Sequence, residues 1–145
     1  MIIRELGLAG SNSKARATPG EKPNTIDETP LTVDAARLYR SVTMRAHYLA
    51  EDRYHRKYSC KELSRSMKTP TASALQKLKH LGRYLLRRPM MVFEYAWQRR
   101  TSSLLVHTDA DWAGCLSTRR STSAGTIQLG ARTLKVWSWT QATVA

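Results

Sequence analysis

Cysteine and long apolar runs are the features that this 145-residue sequence has least of. It contains two cysteines, Cys60 and Cys115, far apart and outside any CxxC pattern, which argues against both a zinc knuckle and a disulfide scaffold. This usage predicts a reducing compartment, cytoplasmic or nuclear. No apolar run approaches the roughly 18 residues of a membrane span, and the N-terminus lacks the basic start and apolar stretch of a signal peptide. We therefore expect no membrane among the partners of this chain.

Carboxylates are also scarce. The sequence has 24 Lys and Arg residues against 11 Asp and Glu residues, a formal net charge of +13, and no carboxylate side chain follows Asp111. The excess is concentrated in residues 34–100, which hold 16 basic and 5 acidic residues. Such a charge favours nucleic acid as a partner, because binding releases the counterions condensed on its phosphates. A basic surface that serves only solubility is the alternative.

Three regions follow one another along the chain. Residues 1–33 are balanced in charge, and residues 9–30 are rich in Gly, Ser, Thr, Pro and Asn without an apolar period. This composition predicts a disordered arm or linker over residues 1–33. Residues 34–89 carry a helical apolar period, and residues 90–145 alternate with the period of strands. The order predicts an α/β protein: an arm, a helical connection region and then the first strands of a sheet.

Two helices are predicted in the first half of the helical region. Thr32 is a suitable N-cap for the first, whose apolar residues recur at spacings of three and four. A second helix is predicted over residues 59–67. Ser59 and Glu62 have the spacing of a capping box at its start.

A third helix is predicted between Thr69, as its N-cap, and Pro89, which would end it. Pro70 would occupy its first position, where a missing N–H costs nothing. Five cations decorate this helix, and they are candidate nucleic-acid-binding residues: Lys77, Lys79, Arg83, Arg87 and Arg88. These cations either follow a phosphate backbone or form a solvated helix face, and the pattern alone does not decide between the two.

Strand-like alternation predicts four strands, over residues 90–97, 103–108, 123–129 and 132–139. Gly130 and Ala131 would form a short hairpin connection between the last two. The hydrophobic residues of that hairpin would then oppose each other, with Ile127 and Leu129 facing Leu134 and Val136.

Asp109 stands at the end of an apolar strand, directly before a turn of small residues. A carboxylate at the rim of a sheet is exposed yet rigidly held, and Mg²⁺ takes oxygen ligands of this kind. Taken alone, an Asp in this place is more typical of a turn.

Asp109 lies in the first of four short segments that follow one another along the chain: His107–Gly114 (HTDADWAG), Thr118–Gly125 (TRRSTSAG), Leu129-Gly130 and Trp137–Gln141 (WSWTQ). Together they resemble the ribonuclease H domain of copia-type retrotransposon polyproteins. Upstream segments resemble the end of the reverse transcriptase and its connection to ribonuclease H in the same polyproteins: Tyr39-Arg40-Ser41, Tyr48-Leu49-Ala50, Glu62–Met67, Pro70-Thr71 and Leu81–Leu85. The resemblance covers about residues 29–145.

The resemblance implies a ribonuclease H-like mixed sheet flanked by helices, of which this chain holds a truncated part. In the family, several carboxylates hold two Mg²⁺ ions that activate water while the RNA strand of an RNA–DNA hybrid is cut. Asp109 matches the first of these carboxylates, which makes it the expected catalytic residue and metal ligand. Asp111 belongs to the same motif and is expected to shape the turn with Trp112.

Residues after this turn carry further expectations. Arg119 and Arg120 would contact phosphate or lie in a solvated loop. On burial grounds, the tryptophans of this region are expected in the core: Trp112, Trp137 and Trp139.

The sequence also departs from the family pattern. Where relatives usually have Arg-Pro-Asp and then an apolar residue, this chain reads Arg53-Tyr54-His55-Arg56, and Trp139 stands where a Ser is usual. The family's next catalytic carboxylate would lie beyond Ala145. We therefore expect a fragment of a pol polyprotein, inactive alone, whose partners are RNA–DNA hybrid or other nucleic acid and the rest of the polyprotein. A non-catalytic basic nucleic-acid-binding module and a retroelement relic without function are the alternatives.

Overall fold

The structure, a computed structural model, describes residues 1–10, 14–20, 27–115 and 118–144. The chain divides into two compact units, Met1–Met91 and Val92–Ala145. Parts of the expected arm, residues 11–13 and 21–26, lie outside the described residues. Among the helices of the described ranges, none has the length and apolar character needed to cross a membrane.

Helices build the first unit: α1 (Ile2–Glu5), α2 (Val33–Asp52), a 3-10 turn (Tyr54–Arg56), α3 (Lys57–Arg65) and α4 (Ala72–Arg87). Apolar residues at helical spacing point inward from α2 and α4, as the sequence period predicts. The core consists mainly of these side chains: Tyr39, Val42, Ala46, Ala50, Cys60, Leu63, Ala74, Leu78, Leu81, Tyr84 and Leu85.

The N-terminal residues join this core. Ile2, Leu6 and Leu8 are buried in it, and the carboxylate of Glu5 pairs with Arg45 of α2. Gly82 of α4 leaves space for two of these side chains, because a Cβ at position 82 would lie 2.6 Å from Leu8 Cδ1 and 2.9 Å from Leu6 Cδ1. The expectation of a disordered arm over residues 1–33 is therefore wrong for residues 2–8. The physical reason is that a short apolar segment fills a gap between two helices.

Capping confirms one helix start and corrects two others. The Thr32 side chain accepts a hydrogen bond from the backbone N–H of Ala35, as predicted. Helix α3 begins at Lys57, two residues before the predicted start, and Ser59 is buried inside the helix, so the predicted capping box is wrong. The 3-10 turn leads directly into α3, so the first turn of α3 does not need a side-chain cap.

Helix α4 is capped by Thr71, whose side chain accepts from the N–H of Ala74, and the predicted cap at Thr69 is wrong. Thr71 forms a β-bridge with Pro30, and the N–H of Leu31 donates to the carbonyl of Pro70. These tertiary contacts hold the chain extended through Pro70 and delay the helix start.

Three antiparallel strands build the second unit in the order β1 (Leu104–Ala110), β2 (Arg120–Leu129) and β3 (Arg132–Val144). Helices and a sheet together are consistent with the expected α/β class, although the described sheet is purely antiparallel. The strand predicted over residues 90–97 is wrong. That segment forms no strand, and four of its large apolar side chains are exposed: Met90, Val92, Tyr95 and Trp97.

The predicted hairpin between β2 and β3 forms, and Gly130 adopts a positive φ of 59° in its turn. Its register differs from the prediction. An irregularity next to Ile127 leaves Leu134 unpaired, so that Ile127 lies opposite Lys135 and Leu129 opposite Arg132. The extra residue of this β-bulge shifts every pair beyond it.

Candidate nucleic-acid-binding and metal-binding residues

Three of the predicted cations line one side of α4. Lys79, Arg83 and Arg87 recur at every fourth position, which places them on one helix face. We call these three residues the α4 basic face. Arg87 is exposed, and Lys79 and Arg83 are half-buried. Helix α4 contains no carboxylate, and among the described residues no ion pair joins these side chains to one.

The other two predicted cations sit apart from this face. Lys77 is exposed on another side of α4, and Arg88 follows the helix as its C-cap residue. Arg53 is a further cation at this end of α4, and it is not among the nucleic-acid-binding residues predicted from the sequence. Its guanidinium donates to the carbonyl of Pro89 over 2.8 Å and to that of Arg88 over 3.4 Å. A cation near the carbonyl end of a helix is favourable, and it adds positive charge beside Arg88.

Arg56 is a fully buried cation at the position where the family resemblance expects an apolar residue. Its Nη2 donates to the carbonyl of Leu49 over 3.0 Å, while Nε and Nη1 meet no hydrogen-bond partner within the described ranges. Burial, followed by the charge of nearby Arg53, lowers the pKa of the Arg56 guanidinium. A buried charge with unmade hydrogen bonds weakens the fold around it.

His55 shares this environment. Its ring meets the ring of Tyr84 edge-on at 5.7 Å between centroids, and its Nδ1 is buried without a hydrogen-bond partner in the described part of the chain. Burial is the main cause that lowers the pKa of His55, and the charges of Arg56, Arg53 and Arg88 lower it further. Both effects disfavour the protonated form of the imidazole in the folded protein.

Asp109 lies near the end of β1, opposite Ala124 of β2, with its side chain exposed. Its Oδ1 accepts a hydrogen bond of 2.9 Å from the backbone N–H of Ala110. A shallow groove of about 290 Å³ passes this point, and it is lined by Asp109 together with His107, Thr108, Ala124, Gly125, Thr126, Val136 and Trp137.

Asp111 holds the turn after β1, in agreement with its expected role. Its N–H donates to the carbonyl of Thr122, and its Oδ1 accepts from the N–H of Thr122 over 2.6 Å. Gly114 leaves the space for this carboxylate, since a Cβ there would lie 2.3 Å from Asp111 Oδ2. The Asp111 carboxylate is thus committed to the backbone of the turn.

The described residues do not assemble the magnesium site that the resemblance implies. No three His, Cys, Asp or Glu side chains within the described ranges come close enough to hold a metal ion together. Asp109 and Asp111 are both exposed, but Asp111 Oδ1 accepts a hydrogen bond from the N–H of Thr122. Asp109 alone offers too few oxygen ligands for a cation that demands near-octahedral coordination.

Arg119 and Arg120 belong to the second unit, whereas the α4 basic face belongs to the first. Both side chains are exposed. Their backbone closes the turn, because the N–H of Arg119 donates to the carbonyl of Cys115 and the N–H of Cys115 donates to the carbonyl of Arg120. The structure therefore shows a structural role for their backbone and leaves their side chains in solvent.

The tryptophans depart most from expectation. Trp112 is 86% exposed and Trp139 is 54% exposed, so the expected core placement is wrong for both, and Trp137 is only half-buried. Trp137 and Trp139 stack on each other, with centroids 5.9 Å apart and planes at 22°. The alternate spacing of the two residues along one strand was the available signal, since it places both rings on one face of the sheet.

Comparison with known proteins finds two curated relatives in Arabidopsis thaliana. The Retrovirus-related Pol polyprotein from transposon RE1 is 35% identical over 100 residues, and an uncharacterized mitochondrial protein is 32% identical over 102 residues. Each match covers 69% of this chain, but only 7% and 41% of the respective relative. No protein-family model and no solved structure matches the chain. These similarities support an origin in a retrotransposon Pol polyprotein.

Proposed function

We propose that this chain is a segment of a copia-type retrotransposon Pol polyprotein, from the reverse transcriptase–ribonuclease H region, and that its own capacity is to bind nucleic acid without cutting it. In the complete polyprotein the segment would act on RNA–DNA hybrid. The similarity to a Pol polyprotein supports this origin. The single observation that carries the binding function is the α4 basic face, three cations on a helix without carboxylates.

Phosphate contact is the chemistry that this face can perform. Lys and Arg side chains that neutralise phosphates release condensed counterions, which supplies sequence-independent affinity. The 11 positive charges in excess over residues 34–100 add a long-range attraction to any polyanion. The chain is therefore expected to bind RNA–DNA hybrid and duplex DNA with little sequence preference.

Salt titration of hybrid binding tests the proposal. If about four to six phosphates are neutralised, the logarithm of the binding constant should fall against the logarithm of salt concentration with a slope of roughly −4 to −5. Charge reversal of the α4 basic face (Lys79→Glu, Arg83→Glu, Arg87→Glu) should weaken binding and reduce the steepness of that slope by about two to three.

A matched control reverses three cations elsewhere in the same unit: Arg4, Arg37 and Lys68, all exposed. It changes the net charge by the same amount, so it separates a local contact from general attraction. Equal losses in the two triple variants, or a salt-independent affinity in the parent chain, would overturn the proposed surface.

A second candidate, a retroelement relic without retained function, is favoured by Arg56. A buried, incompletely hydrogen-bonded cation in a core position is a change that selection on stability removes. Failure of the chain to bind hybrid at low salt would support this candidate.

A further inference from the structure

Strand β3 presents a row of four alternate side chains on one face of the sheet: Lys135, Trp137, Trp139 and Gln141. Alternate residues of a strand stand about 7 Å apart and point to the same side. The pairing register places Ser123 and Gly125 of β2 and Thr108 and Ala110 of β1 on this side as well. We call this side the Trp face.

The two rings are held unequally. A Cβ on Gly125 would lie 2.2 Å from Trp137 Cζ2, so the absence of a side chain at Gly125 lets the Trp137 ring lie against the sheet. Trp139 then stacks on Trp137 and remains 54% exposed. One ring is thus anchored on the backbone, and it supports a second ring that is open to solvent.

Polar and charged groups flank the stack. The Gln141 amide donates to Ser123 Oγ over 2.8 Å, which fixes the amide beside Trp139, because Ser123 and Trp139 are cross-strand partners. Lys135 is exposed on the other side of the pair. Among the described residues, the Trp face carries no carboxylate, since Asp109 alternates to the opposite side and Asp111 lies in the turn.

We propose that the Trp face binds single-stranded nucleic acid, with an unpaired base stacked on Trp139, the Gln141 amide at the edge of that base and Lys135 at a phosphate. Aromatic rings on an open sheet beside a cation match the chemistry of a single strand, whose bases offer free faces and whose backbone is anionic. The Trp face would contact bases, whereas the α4 basic face would contact phosphates. It shares with the proposed function only the class of partner and lies in the other unit.

Two probes of equal charge separate bases from phosphates. We would measure the affinity of the full chain for an oligothymidine strand and for an abasic strand of the same length. The thymidine strand should bind roughly 5- to 100-fold more tightly, which corresponds to the range measured for stacking of one base. Equal affinities for the two strands would overturn the proposal.

Trp139→Ala should remove this preference and leave the abasic strand bound as before. Trp139→Phe keeps a ring and should retain most of the preference. Trp112→Ala is the matched control, since Trp112 is more exposed but has no stacked neighbour among the described residues. A preference that survives Trp139→Ala, or a stable dimer that hides Trp139 in sedimentation and fluorescence-quenching measurements, would overturn the proposal.

The same titrations keep the two proposals apart. Charge reversal on α4 should weaken both strands alike, and Trp139→Ala should weaken only the strand with bases. Loss of the first effect alone overturns the α4 surface, and loss of the second alone overturns the Trp face.

Discussion

The side-chain amide of Gln98 closes the hairpin at Gly130. Its Nε2 donates to the carbonyl of Leu129 and its Oε1 accepts from the N–H of Ala131, each over 2.9 Å. Gly130 must be a glycine here for two reasons: its φ is 59°, and a Cβ would lie 2.5 Å from Gln98 Oε1. A residue from the segment before β1 thus fixes the turn between β2 and β3.

Gly130→Ala should therefore destabilise the sheet by about 1–2 kcal/mol, from the cost of a side chain at positive φ and the displaced amide. Tryptophan fluorescence in urea measures this selectively, because all four tryptophans lie in the second unit. Gly10→Ala is the control, since a Cβ there meets nothing within 4 Å. Equal unfolding midpoints for the two variants would contradict the expectation.

Arg56→Met should stabilise the first unit. Removal of a buried cation with two unmade hydrogen bonds, and its replacement by an apolar side chain, should raise the free energy of unfolding by about 1–4 kcal/mol. Helical circular dichroism in urea reports on this unit.

Arg40→Met provides the contrast for that measurement. Arg40 is exposed, and its guanidinium donates to the carbonyls of Met67 and Lys68. Its loss should lower stability by about 1 kcal/mol. The interpretation that Arg56 destabilises the first unit is contradicted if both methionine variants are less stable than the parent chain.

Acid should weaken the first unit through His55. Because the folded pKa of His55 lies below its unfolded value of about 6.5, the unfolded state takes up the proton first. Stability is therefore full above pH 6.5 and is lost as the pH falls from there through the folded pKa. His55→Gln should flatten this part of the profile between pH 7 and 5. Identical profiles for the parent chain and the variant would exclude His55 as the cause.

The two thiols should react at different rates. Burial raises the pKa of Cys60 to about 11, and its Sγ donates to the carbonyl of Ala46. Cys115 is only half-buried. An aromatic disulfide reagent at pH 8 should modify Cys115 first and Cys60 only on unfolding, because the thiolate is the reactive form. Cys115→Ser should abolish the fast phase, and a fast phase that persists would show that Cys60 opens locally.

Hybrid cleavage should be absent from this chain. Among the described residues, Asp109 belongs to no group of three His, Cys, Asp or Glu side chains that could hold a metal ion together. A labelled RNA–DNA hybrid incubated with the chain and Mg²⁺ or Mn²⁺ should remain intact. Cleavage that Asp109→Asn abolishes, with an unchanged circular dichroism spectrum, would contradict this expectation.

Local patterns predict much of this fold. The apolar period and the cap at Thr32 predict α2, and alternation predicts the three strands and their hairpin. Features that depend on tertiary contacts leave no such local pattern in the sequence. The bridge between Pro30 and Thr71 moves the start of α4, and the gap at Gly82 orders a segment too short to show a period.

The residues of the candidate site are likewise predictable from the sequence only where local spacing decides their position. A cluster of cations along α4 is visible in the sequence, because helical spacing alone places Lys79, Arg83 and Arg87 together. The burial of Arg56 and the exposure of Trp139 depend on which layers cover each position. Residue type predicts the opposite for both, since Arg is normally exposed and Trp is normally buried.

The buried apolar cluster lies entirely within residues 1–91, and among the described residues of the second unit only Ala113 and Ser121 are buried. Resistance to amide hydrogen exchange should follow this division, because exchange in a cooperative core requires global opening. Amides in the middle of α2 and α4 should exchange slowest. Those of β1, whose seven residues are all exposed, should exchange within a much shorter time. With this division of burial, the sheet should open and close many times before the helical half unfolds once.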